Sequence, residues 1–213
     1  MSKPPKASGK WYRVENATAT EADLYIYGAI GDFWGEDDVT AGSFVQSLKE
    51  ITASTINLHI NSPGGLVFDA VAIYSALKNH EATVNVTVDG VAASAASFVA
   101  MAGDSIAIEK PAQMMIHDAH GLVVGNADFM REMADLYDQF SDTIADIYAM
   151  KTGKPKDEWR TAMKAETWYT SEGAVEAGLA DRILNDKQES TAENISRSQL
   201  IKARARALQL GGR

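Results

Sequence analysis

The chain contains no cysteine. That excludes a thiol nucleophile, a disulfide framework and thiolate-held metal, and it leaves no sign of an oxidising compartment. Positive charge is scarce: 20 Lys and Arg stand against 29 Asp and Glu, a formal net charge of −9. Nucleic acid is therefore not expected as a partner, because neutralising phosphates takes clustered cations. Long hydrophobic runs are missing too. The longest, residues 91–103, is too short to cross a bilayer and is rich in Ala and Ser. The opening Met1-Ser2-Lys3-Pro4-Pro5-Lys6 has charge but no apolar segment behind it, so it does not read as a secretory signal. A cytoplasmic protein without a membrane partner is expected.

What is present suits one compact domain. Apolar residues make up 46% of 213, enough for a real core. Residues 1–20 are polar and rich in Lys, Pro, Ser and Thr, and read as a mobile arm. A single domain is expected over 21–185, and a charged tail over 186–213, helical around 200–208. Within the domain, Leu24-Tyr25-Ile26-Tyr27 reads as a strand, and residues 38–50 carry Val39, Phe44, Val45 and Leu48 near helical spacing. Ile56, Leu58 and Ile60 alternate with polar residues as a half-buried strand. They run into Ser62-Pro63-Gly64-Gly65 and then a helix with Val67, Val71, Tyr74 and Leu77 on one side. The unit repeats: Val84, Val86 and Val88 alternate, Asp89-Gly90 reads as a turn, and a small-residue segment follows. A strand pair is expected at 105–109 and 114–116, then a loop over 117–125. A long helix from 127 should bury one stripe of Phe129, Met133, Leu136, Phe140, Ile144 and Ile147 before Gly153. Short helices at 156–163 and 171–177, the latter closed by Gly178, and a strand at 181–184 complete the pattern. Repeated strand–turn–helix units imply an α/β fold.

Three stretches could carry chemistry. Ser94, in Ala93-Ser94-Ala95, places a hydroxyl where a strand gives way to a helix, beside unpaired helix N–H groups that favour an oxyanion. Dense Ala and Ser also fit a tightly packed helix, and Ser97 is a rival nucleophile more suited to packing. Ser62-Pro63-Gly64-Gly65 could turn backbone N–H groups toward a ligand or simply form a turn. His117 ends the apolar strand Met114-Met115-Ile116, where an imidazole could serve a serine as base. The other histidines suit structural or solvated roles: His59 on a polar strand phase, His80 in a polar turn, His120 beside Gly121. Spacing cannot choose a carboxylate among 29 acids. Asp118 is a poor candidate because adjacent residues on an extended chain point apart.

Taken together, Ile60-Asn61-Ser62-Pro63-Gly64-Gly65, Gly90-Val91-Ala92-Ala93-Ser94, Met115-Ile116-His117, Thr152-Gly153 and residues 172–181 resemble, in order and spacing, the ClpP serine peptidase family over about residues 24–183. The resemblance implies a ClpP/crotonase-like repeated β-β-α spiral in a single domain. It implies Ser94 as nucleophile, His117 as base, and Gly65 and Ala95 N–H groups as the oxyanion hole. The family's catalytic aspartate falls on Glu166, a departure one methylene longer. No metal and no organic cofactor are implied. Polypeptide is the implied substrate, and self-association into heptamer or tetradecamer rings the implied assembly, with an ATPase partner left open. The helix from Ala127 would join two rings, and the loop over 121–126 would present a strand to extended substrate. Glu166, the Glu166-Thr167-Trp168-Tyr169 motif and the charged tail look more like the phage and prophage head-maturation branch, which cuts capsid and scaffold precursors. Two other readings stand beside this one: a crotonase-like enzyme acting on an acyl-CoA, and a non-catalytic ring subunit.

Overall fold

The structure, a computed structural model, describes residues 11–15, 17–31 and 40–184. The chain separates into two compact units, residues 1–183 and 184–213. Apart from Leu184 the second lies outside the described residues, as does the tail expected over 186–213.

In chain order the elements are β1 (Tyr12–Glu15), β2 (Glu21–Tyr27), α1 (Ala41–Lys49), β3 (Thr55–Ser62), α2 (Val67–Lys78), β4 (Thr83–Ala93), α3 (Ala95–Ala100) and β5 (Ser105–Glu109). Then come β6 (Gln113–Ile116), α4 (Ala127–Thr152), α5 (Lys156–Lys164), β7 (Thr167–Thr170), α6 (Ser171–Ala177) and β8 (Arg182–Leu184). The architecture is the expected α/β one. Strands β2, β3, β4 and β5 run parallel, β1 pairs antiparallel on the outer edge of β2, and β8 lies beside β5. Alternation explains why these segments are strands. Leu24 and Ile26, Ile56, Leu58 and Ile60, Val84, Val86 and Val88, and Ile106 and Ile108 are all buried. They point to one face and share a core with Phe44 and Leu48 of α1, Ile73 and Leu77 of α2, and Phe98 of α3.

The sheet forks at β4. Its residues 85–88 pair with β5, whereas residues 91–93 pair with β6, which in turn pairs antiparallel with β7. The strands expected at 105–109 and 114–116 therefore do not pair with each other but share β4. The turn expected at Asp89-Gly90 is absent, because β4 runs straight through it. The register between β3 and β4 shifts there, from Ile60↔Val88 to Ser62↔Ala92. A Cβ on Gly90 would lie 2.7 Å from Asn61 Oδ1. Glycine here admits a close neighbour at an irregular pairing instead of turning the chain.

Two further expectations change. Residues 11–15 of the expected N-terminal arm belong to the domain: β1 pairs with β2, and Trp11 and Tyr12 are buried against Phe44. The aromatic pair outweighs the polar composition around it. In α4 the buried stripe begins only at Ser141 and continues through Ile144, Ala145, Ile147 and Tyr148. Phe129 and Met130, in its first turn, are 44% and 48% exposed. Its ends are well determined. Asn126 caps the N-terminus by accepting from Phe129 N–H at 2.9 Å, and Gly153 ends it in the left-handed region at φ 72°. No helix among the described residues is long and apolar enough to cross a membrane.

Trp11 distinguishes a bound strand from a mobile arm. It is 4% exposed and stacks on Phe44 at a centroid distance of 5.9 Å. Trp11→Ala should destabilise the protein by about 3–5 kcal/mol, measured by guanidinium unfolding. A mobile arm would give no loss.

Candidate active site

The fork of β4 delivers a serine and a histidine to the same point. Ser94 follows the last residue of β4 and caps α3, with φ 52° and ψ −125°. Its N–H donates to Met115 O on β6 at 2.9 Å. Two residues beyond Met115 the chain reaches His117, and His117 Nε2 stands 2.6 Å from Ser94 Oγ. For the hydroxyl to donate to Nε2, the imidazole proton must reside on Nδ1. Nδ1 faces Glu166 Oε2 at 3.6 Å, too long for a hydrogen bond but close enough for electrostatic attraction. Glu166 immediately precedes β7, and the β6–β7 pairing places it beside His117. Among the described residues, Ser94 and Glu166 are the two non-glycine residues with positive φ, at 52° and 48°. Backbone conformations of this kind cost about 1–3 kcal/mol each and persist only where surrounding structure holds them.

The Ser62-Pro63-Gly64-Gly65 segment passes directly against this serine. A Cβ on Gly64 would lie 2.6 Å from Ser94 Cβ, and one on Gly65 would lie 2.0 Å from Ile30 O. Both positions have positive φ, 99° and 156°. The loop is pinned by Ile30 N–H to Gly64 O (2.7 Å), Leu66 N–H to Ile30 O (2.9 Å) and Gly64 N–H to the buried Ser62 Oγ (3.1 Å). The result is a small open cleft, lined by Gly65, Ser94, Ala95, His117, His120 and Tyr148 among others. The five residues named from the sequence thus lie together: four line this cleft, and Glu166 stands behind His117.

The remaining acids and histidines sort by their partners. Asp118 turns away to the Arg160 guanidinium, which also meets Asp138 at 3.2 Å and Asp142 at 2.9 Å. His59 Nδ1 bonds Asp89 at 3.0 Å, and His80 donates from Nε2 to Leu48 O while accepting from Ala82 N–H. His120 departs from its expected role. Its ring stands edge-to-face on His117 with centroids 4.5 Å apart, inside the cleft. Only its position three residues after His117 could have drawn attention to it. Tyr148 also lines the cleft and was not singled out from the sequence, since the stripe expected on α4 ran through Ile144 and Ile147 without it.

Burial pushes His117 below the ordinary imidazole value of 6.5, and His120 pushes the same way, while Glu166 and Asp118 oppose them. The net effect keeps His117 neutral, as a base must be.

A model described as Clp protease matches residues 6–187, most of the sequence. The chain belongs to the Clp protease family. It is 31% identical over 187 residues to the ATP-dependent Clp protease proteolytic subunit of Pleurastrum terricola, covering 86% of this chain and 94% of that protein. Against the corresponding Deinococcus radiodurans subunit identity is 30%, over 63% of this chain and 67% of the relative. Against subunit 1 of Salinibacter ruber it is 26%, over 70% of this chain and 65% of the relative. As a Clp protease family member the chain falls among peptidases.

These neighbours set an expected pH dependence for fluorophosphonate labelling of Ser94. The acid limb of the labelling rate should have its midpoint below pH 6.5, with activity lost as pH falls through that midpoint and His117 gains its proton. His120→Ala should raise the midpoint, since it removes a like charge and part of the burial. Fluorophosphonate labelling rates measured between pH 4.5 and 9 check both directions.

Proposed function

We propose that this protein is a serine endopeptidase of the ClpP type, acting within an oligomeric ring and belonging to the phage and prophage branch that cuts capsid or scaffold precursors. The observation that carries the catalytic part is the 2.6 Å contact between Ser94 Oγ and His117 Nε2 at a cleft edged by the Gly65 and Ala95 backbone. His117 takes the hydroxyl proton as Oγ attacks the scissile carbonyl. The Gly65 and Ala95 N–H groups hold the oxyanion. Glu166 steadies the imidazolium, which then protonates the leaving amine, and water frees the acyl group. An acyl-CoA enzyme would use the amides but has no need of a hydroxyl–imidazole pair.

A contact between two rings is supported by α4. Its exposed Phe129 and Met130, with Leu122 and Val124 at 93% and 81% exposure in the preceding loop, make an apolar surface continuous in sequence. Apolar groups gathered in this way mark an interaction site. The viral branch is supported by Glu166 in place of aspartate, by the motif Glu166-Thr167-Trp168-Tyr169 and by the charged C-terminal sequence. An ATPase partner is left open by these features.

Ser94→Ala should abolish both fluorophosphonate labelling and peptide cleavage while leaving the native mass unchanged. Turnover retained in that variant moves the nucleophile elsewhere. Glu166→Gln should slow cleavage by about 10²–10⁴-fold with labelling still confined to Ser94. Phe129→Glu combined with Met130→Glu should shift native mass to a smaller assembly; an unchanged mass removes α4 from the contact.

A further inference from the structure

The carbonyl of Ser94 is held as firmly as its N–H. Ser94 O accepts from Ser97 N–H at 3.0 Å and from Ser97 Oγ–H at 2.5 Å. Ser97 Oγ also lies 2.7 Å from the Tyr148 hydroxyl. A serine hydroxyl has one proton. Since Ser97 spends it on Ser94 O, Tyr148 must donate the second bond. The direction is therefore set: Tyr148 O–H to Ser97 Oγ, and Ser97 O–H to Ser94 O. Both side chains are buried, at 1% and 0% exposure. Burial also holds the Tyr148 phenol above the ordinary tyrosine value, so the proton stays available.

From this geometry we infer that Ser97 and Tyr148 are positioning residues, which clamp the left-handed Ser94 peptide from α4 and thereby hold Oγ on the imidazole. The inference rests on Ser94 acting as the nucleophile. A satisfied buried pair could serve packing alone, but here its terminal acceptor belongs to the nucleophile's own backbone. That residue occupies a conformation a serine adopts only under constraint. Met115 O restrains one side of the turn and Ser97 the other. Tyr148 itself is fixed by Trp159, 5.3 Å away between centroids, whose indole N–H donates to Thr152 Oγ1 at 3.1 Å. The chain of contacts thus runs from the last turns of α4 to the reacting hydroxyl.

The test is a double-mutant cycle with Ser97→Ala, Tyr148→Phe and the pair combined, read by acylation rate, kcat, KM and thermal midpoint. Each single variant should acylate about 10–100-fold more slowly, the scale expected for a misplaced reacting group. The loss should appear in kcat with KM near the wild-type value. The double variant leaves no orphaned buried hydroxyl, so its thermal midpoint should recover toward wild type. Its acylation should stay slow, and no slower than Ser97→Ala. Single variants that acylate at the wild-type rate, or a double variant that regains rate together with stability, overturn the inference. A wild-type protein unreactive toward fluorophosphonate at Ser94 overturns the peptidase reading instead. The clamp is then decided by amide exchange over residues 94–100, which speeds up in Ser97→Ala if the bond holds the turn and is unchanged if it does not.

Discussion

A serine with φ 52° and ψ −125° does not stay there unaided. The fold around it can be understood as the set of contacts that keeps it in place. One edge of strand β4 is divided: its first half pairs with β5 and its second half with β6. That division presents Met115 O to the Ser94 N–H and, two residues later, sets the His117 imidazole against the hydroxyl. On the opposite side the backbone of Gly64 approaches so closely that a methyl group would collide with Ser94 Cβ. A single fork in the sheet brings the serine and the histidine together, and the Gly64 backbone closes the other side.

The parallel strands were legible because their inward faces are uniformly aliphatic and their outward faces polar, a period that admits one reading. The helix ends were legible for a different reason: Gly153 and Gly178 occupy the capping positions their chemistry prefers. Gly90 misled because a glycine after aspartate suggests a turn, whereas the pairing uses it to admit Asn61 from the neighbouring strand. That requirement involves a residue 29 positions away, and no local window contains it. Strand β7 was missed because its four residues alternate between exposed and half-buried positions. Without strong burial there is no hydrophobic pattern to detect.

The site divides in the same way. Ser94, His117 and the glycine loop stand in short motifs whose residue types the chemistry demands. His120 and Tyr148 do not. One contributes a ring contact and a like charge, the other a hydroxyl two hydrogen bonds removed from Ser94. Either contribution depends on where a loop or helix finishes after folding, which composition and periodicity do not encode. Asp118 shows the converse. The simple rule that adjacent residues diverge was enough to set it aside, and the Arg160 ion pair gives the reason it is occupied elsewhere.

Burial of the imidazole, more than the acid behind it, sets the electrostatic character of the whole arrangement. A carboxylate enclosed with its histidine would raise the imidazole's affinity for a proton strongly, because attraction grows as water is excluded. Glu166 is 59% exposed and stops 3.6 Å short of Nδ1. Its attraction is screened, and burial of the imidazole outweighs it, so His117 lies below its ordinary value instead of above it. The balance favours a base ready to accept a proton over a preformed imidazolium. Glu166 is held in this position by a left-handed backbone, as Ser94 is, on the far side of the same histidine. Two constrained turns therefore face each other across one ring. The turn at 166, and not the side chain alone, sets the distance of this carboxylate from His117.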